Sequence, residues 1–79
     1  MKHFFIWVSI PVHITVTFAR TNQSKTVSLH KDSTIQQLLA QLNIKPDTCL
    51  TLINNKPIPL DDNLYDGQNV TILEVTSGG

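Results

Sequence analysis

The stretch Lys25-Thr26-Val27-Ser28-Leu29-His30-Lys31-Asp32-Ser33-Thr34-Ile35-Gln36-Gln37-Leu38-Leu39-Ala40-Gln41-Leu42 changes its hydrophobic period halfway along. Up to His30 polar and apolar residues alternate, with Val27 and Leu29 on one side, the pattern of a half-buried strand. From Ile35 onward the apolar residues fall at i, i+3, i+4 and i+7, through Leu38, Leu39 and Leu42, which is one face of a helix. Ser33 or Thr34 can cap its start, and Thr34 with Gln37 three residues later has capping-box spacing. Asp32 lies where negative charge suits the helix dipole. Asn43 is placed for a left-handed stop, with Ile44 folding back and Pro46 preventing continuation. The spacing predicts a helix over residues 35–43.

Upstream, Val12, Ile14, Val16 and Phe18 alternate with His13, Thr15 and Thr17, giving a first strand that pairs with the second as a hairpin across the polar loop Ala19–Ser24. Downstream, Thr48–Ile53 is a strand and Asn54-Asn55-Lys56 a tight turn, because Asn tolerates positive φ. Pro57 and Pro59 reduce Lys56–Leu60 to a short edge strand. Residues 61–69 form a loop in which Leu64 and Tyr65 are expected to plug the core and Gly67 marks a turn. Asn69–Val75 is the last strand, with Val70 and Ile72 inward. A hairpin, a crossover helix and a returning strand build one helix layer on one sheet layer, an α+β domain. The division that follows is residues 1–11 as an N-terminal extension or extra strand, 12–75 as the domain, and 76–79 as a tail.

The chain of 79 residues is 41% apolar and 15% charged, with six Lys plus Arg against six Asp plus Glu. That length holds one domain and leaves no room for a separate substrate domain. A net charge of zero argues against nucleic-acid binding through phosphates. The single cysteine, Cys49, cannot form an internal disulfide and fits a reducing, cytoplasmic setting. A secretory leader is not expected, since Pro11 and His13 break the apolar run and no small-residue cleavage site follows. The run is also too short for a spanning helix, so no membrane partner is expected. Phe4–Ile10 either prolongs the first strand, adds an edge strand, or pairs with another chain as a weak dimer.

The chemistry points to the tail Thr76-Ser77-Gly78-Gly79. At an average glycine frequency, a chance terminal Gly-Gly has odds of about one in 200. Two residues without side chains can enter a narrow channel that any side chain would obstruct. The α-carboxylate is a poor electrophile until it is activated, after which a thiol, sulfide or amine can attack it. The plain alternative is a frayed end. Cys49 has no flanking base to lower its pKa and reads as a buried hydrophobe. His3, His13 and His30 lack metal-ligand spacing and sit on exposed positions. Asp61-Asp62 reads as a solvated turn. No metal site and no nucleophile–base pair is visible.

Several segments carry a family resemblance. Thr34-Ile35-Gln36-Gln37-Leu38-Leu39 resembles the Thr-hydrophobic-x-x-Leu-Leu helix of ThiS/MoaD-type proteins. Ile53-Asn54-Asn55-Lys56-Pro57-Ile58-Pro59 resembles their Asn-Gly-x-hydrophobic hairpin, with Asn55 in place of the usual Gly. Leu64-Tyr65-Asp66-Gly67-Gln68-Asn69-Val70 resembles their Leu-x-Asp-Gly-Asp-x-Val segment, with Gln68 in place of an acid. Val75–Gly79 resembles their terminal tail. The resemblance covers roughly residues 12–79, and the first eleven residues match nothing expected of the family.

It implies a ubiquitin-like β-grasp, a mixed four- to five-stranded sheet with one packed helix. It also implies a sulfur carrier or protein modifier that is not itself an enzyme. A partner activating enzyme, using ATP and Mg²⁺ that this chain does not bind, would adenylate the Gly79 carboxylate. A sulfur donor protein would then give a thiocarboxylate, or a target lysine an isopeptide bond. Alternation places Leu52, Leu73 and Val75 outward beside the tail, an expected docking patch unless a one-residue slip buries them. Two other readings stand beside this one: an interaction module whose tail does no chemistry, and the small subunit of a molybdopterin-synthase-like complex.

Overall fold

The computed structural model describes residues 11–75. The expectations for Phe4–Ile10 and for Gly78 and Gly79 lie outside the described residues. Five strands and one helix follow in the order β1 (Val12–Phe18), β2 (Gln23–Leu29), α1 (Ile35–Gln41), β3 (Cys49–Ile53), β4 (Lys56–Pro57) and β5 (Asn69–Glu74), with a single 3₁₀ turn at Pro46–Thr48 before β3. They form one mixed sheet in the order β2-β1-β5-β3-β4. β5 lies between β1, to which it is parallel (Val16 opposite Val70), and β3, to which it is antiparallel (Thr51 opposite Ile72). This is the ubiquitin-like β-grasp. Among the described residues no helix is long and apolar enough to cross a membrane.

The helix is short and its ends are fully specified. Thr34 and Gln37 form the expected capping box: the Gln37 N–H donates to Thr34 Oγ1 at 3.4 Å, and the Thr34 N–H donates to Gln37 Oε1 at 2.8 Å. The first two helical N–H groups go to loop carbonyls instead, Ile35 to Asp62 at 3.1 Å and Gln36 to Leu60 at 2.9 Å. The donors left orphaned at a helix start are thus taken up, and the loop after β4 is tied to the helix. At the other end Asn43 has φ 65°, with Asn43 N–H on Ala40 O and Ile44 N–H on Leu39 O. That is the paired C-terminal lock of a left-handed stop. The helix proper ends at Gln41, and Leu42 is its cap.

The alternation along the strands sorts residues as expected. Ile14, Val16, Val27, Leu29, Val70 and Ile72 are buried beneath Ile35, Leu38 and Leu39, and Leu64 fills the open end of the core. Asn54 and Asn55 both have positive φ, at 56° and 66°. They make the two-residue turn that suits a hairpin's twist and sets Ile53 opposite Lys56. β4 is a two-residue edge, as its prolines require. Buried Thr51 donates its hydroxyl to Ile58 O at 3.1 Å and so keeps no unpaired polar atom in the core.

Three expectations are corrected. β2 begins at Gln23, so the hairpin loop is only Ala19–Asn22, closed by Asn22 at φ 59°. Tyr65 does not plug the core but is 65% exposed. Its backbone is held in a local turn, exchanging bonds with Gln68 around Gly67 at φ 87°, and that turn points successive side chains in opposite directions. The helix, expected over residues 35–43, ends at Gln41 with Leu42 as its cap, because Asn43 turns left-handed at φ 65°.

Candidate functional site

β5 delivers the C-terminal segment. Its ladder runs one residue past the strand, because the Val75 N–H donates to Thr48 O at 3.0 Å. The backbone is therefore fixed up to Val75, at one end of a central strand. Four further residues can reach about 13 Å beyond that anchor. Gly78 and Gly79 are among those four and lie outside the described residues.

Around the anchor the outward sheet face is apolar. Leu73 is 38% exposed and Val75 51% exposed, both on the side away from α1. The register places Leu50, 45% exposed, directly opposite Leu73. Leu52 faces the same way but is half-buried, opposite Thr71 and flanked by Pro57 of β4. The residue that completes a pair with Leu73 is thus Leu50, with Leu52 diagonal to it. Sequence reasoning passed over Leu50, although the signal was present: if Leu52 points outward, so does a residue two positions away. Directly opposed apolar side chains reinforce each other across a strand pair. A contiguous exposed patch of this kind is what an interaction surface presents.

The helix-facing side of the same end is different. Cys49 is buried opposite Glu74, and burial first, then the charges of Glu74 and Asp47, hold its thiol pKa above the ordinary range. A thiol so placed is held in its protonated form at neutral pH and packs as a small hydrophobe. A groove of about 350 Å³ is lined by Phe18, Ile72, Arg20 and Glu74, and the Arg20–Glu74 ion pair spans 3.3 Å. Both partners of that pair are largely in solvent, so it contributes little to stability. His13 and Asp66 meet at the opposite end of the sheet: the His13 N–H donates to Asp66 Oδ1 at 2.7 Å, which anchors the turn before β5. His30 and the Asp61-Asp62 pair are exposed loop residues. Among the described residues no group of three metal-ligating side chains converges.

A model of the ThiS family matches residues 13–79. No curated protein matches the sequence significantly. Among solved structures, the chain resembles the Caldiarchaeum subterraneum ubiquitin, with a TM-score of 0.67 at 15% identity, covering 87% of this chain and 99% of that one. It also resembles the Haloferax volcanii HVO 2177 protein, with a TM-score of 0.68 at 17% identity, covering 87% and 88% of the two chains. A ubiquitin-like domain from Arabidopsis thaliana gives 0.68 at 13% identity, covering 94% and 87%. Likeness at these identities is likeness of fold.

Proposed function

The chain belongs to the ThiS family of ubiquitin-like sulfur carriers and modifiers, and on that premise we propose that it works through the Gly79 carboxylate. The observation that carries this reading is that the family match runs unbroken from β1 through Gly79, over a fold whose central strand leads into the Gly-Gly tail. A partner enzyme joins the carboxylate to AMP from ATP, with Mg²⁺, and releases pyrophosphate. Hydrosulfide supplied by a sulfur donor then attacks the acyl carbon, a C–S bond forms as the C–O bond to AMP breaks, and a thiocarboxylate results. Attack by a target lysine gives an isopeptide bond instead. The chain supplies the carboxylate, the reach and the docking surface. The adenylating machinery, its ATP and its Mg²⁺ belong to the partner.

Leu50, Leu73 and Val75, with Leu52 at their margin, form the surface on which the partner seats. It lies at the root of the tail, so seating there brings the last residues within reach of one catalytic pocket. The test is an intact-mass measurement after incubation with an adenylating enzyme of the same family system, MgATP and a sulfide source. Replacement of one terminal oxygen by sulfur is the expected result. A carboxylate that stays unmodified with every such enzyme, while the leucine surface still binds protein, would assign the chain to interaction alone.

A further inference from the structure

The outer face of the sheet, away from α1, receives no Lys, Arg, Asp or Glu from any of its five strands. β1 gives it Thr15 and Thr17, β5 gives it Asn69, Thr71 and Leu73, and β3 gives it Leu50 and Leu52. β2 adds only hydroxyl side chains. The charges the strands do carry, Lys25, Lys56 and Glu74, stand at positions of the opposite parity. Solvent-facing surfaces carry roughly 25–35% charged residues of mixed sign. A charged face repels its own copy, because identical groups are brought together. This face meets its copy without that clash and without an ion to desolvate. A partner that recognises by opposite charge finds nothing on it to pair with.

The size of the face fits the same occupant. At about 3.4 Å per residue and about 4.8 Å per strand, the five strands spread over about 440 Å². Two copies packed face to face cover twice that before side-chain relief is added, which brings the contact to the roughly 1,000 Å² where specific interfaces begin. An interface of that size holds a weak, reversible dimer. The strand order fixes its centre. β5 is the third of five strands, and Thr71 is the middle of its three outward residues. A two-fold axis that overlaps the two faces fully, whether it runs along the strands or across them, sets β5 over its copy and passes close to Thr71.

We propose that two copies of this chain pack outer face to outer face, as a sandwich of two sheets about a two-fold axis near Thr71, each covering the other's leucines. The pairing stands on the sheet alone and does not rest on the sulfur-carrier reading. Where that reading also holds, the dimer closes the surface on which the partner seats, and only the monomer is activated.

The test needs no activating enzyme, so its outcome leaves the tail chemistry untouched. Sedimentation of the full chain from micromolar to millimolar concentration should show a reversible monomer–dimer equilibrium. Thr71→Lys and Thr71→Glu each set like charges against each other at the two-fold and should weaken the dimer tenfold or more. An equimolar mixture of the two variants should restore a dimer, since each lysine then meets a glutamate. Ala40→Lys, on the exposed side of α1, should change nothing. Should a Thr71 variant fail to fold by circular dichroism, the unmodified chain decides the matter: the amide resonances of Thr15, Thr71 and Leu73 should move with concentration while those of α1 stay fixed. A chain that is monomeric throughout that range overturns the proposal. A dimer that neither Thr71 variant weakens, or variants that do not recombine, overturn it in favour of another surface. Concentration-dependent shifts confined to β2 overturn it in favour of pairing at that strand's outer edge.

Discussion

Ile72 and Leu73 are neighbours on one strand, and they belong to different economies. Ile72 is buried opposite Thr51 beneath the helix; Leu73 stands in solvent opposite Leu50. The same division runs along β3, with Cys49 and Thr51 inward and Leu50 and Leu52 outward. One face of the β3–β5 pair holds the domain together. The other keeps apolar surface exposed although folding gains little from it. That outer surface, next to the last four residues of the chain, is the one proposed above to seat a partner.

The sharpest way to break this division is to shorten the tail. Removing Gly79 should abolish thiocarboxylate or conjugate formation altogether and leave the thermal midpoint where it was. A shortened chain that is still modified at its new terminus would move the chemistry off Gly79.

The next test sets the two neighbours against each other. Ile72→Ala removes a fully buried side chain and should cost about 2–5 kcal/mol in urea unfolding. Leu73→Ala removes an exposed one and should stay within about 0.5 kcal/mol. Equal losses at both positions would show the outer leucines to be structural, and the docking surface would lose its physical basis.

How much of this was legible in the sequence follows from range. The capping box at Thr34 and Gln37, the left-handed stop at Asn43 and the Asn54-Asn55 turn depend on residues within a few positions of one another, and local chemistry specifies them. Inward and outward parity along each strand was equally legible. Which outward residue meets which was not. Leu50 opposite Leu73 is set by the antiparallel register of β3 on β5, a contact between segments some twenty residues apart in sequence, and alternation carries no information about it. Tyr65 misled for a related reason: an aromatic beside a core leucine reads as core, and only the Tyr65–Gln68 turn reverses its direction.

That register leads to a functional test smaller than the loss of Gly79. Leu50→Lys or Leu73→Lys places a solvated charge in the middle of the outer patch and should lower kcat/KM for activation by about tenfold or more, the mark of an anchor residue worth over 1 kcal/mol. Leu52→Lys, half-buried at the margin, should lower it less. Steady-state adenylation assays on variants of unchanged stability separate the three. A larger effect at Leu52 than at Leu50 would move the centre of the docking surface toward β4.

The smallest effect probes the inner face at its boundary with the site. Cys49 is held protonated by burial and by the negative charges of Glu74 and Asp47, so its folded-state pKa lies above that of the unfolded chain. The folded state therefore binds the proton more tightly. The corresponding stability is fully present below the unfolded thiol's pKa of about 8.5, and is lost as pH rises from there through the folded value. Subtracting the unfolding free energy of Cys49→Ala from that of the native chain, pH by pH, isolates the contribution of the thiol. The difference should be flat below pH 8 and fall at alkaline pH. At neutral pH the native thiol should react with iodoacetamide far more slowly than in the urea-unfolded chain. A difference that rises with pH, or a thiol as reactive folded as unfolded, would mean that Cys49 faces outward with the leucines and that the two faces of β3 are less cleanly divided than its alternation indicates.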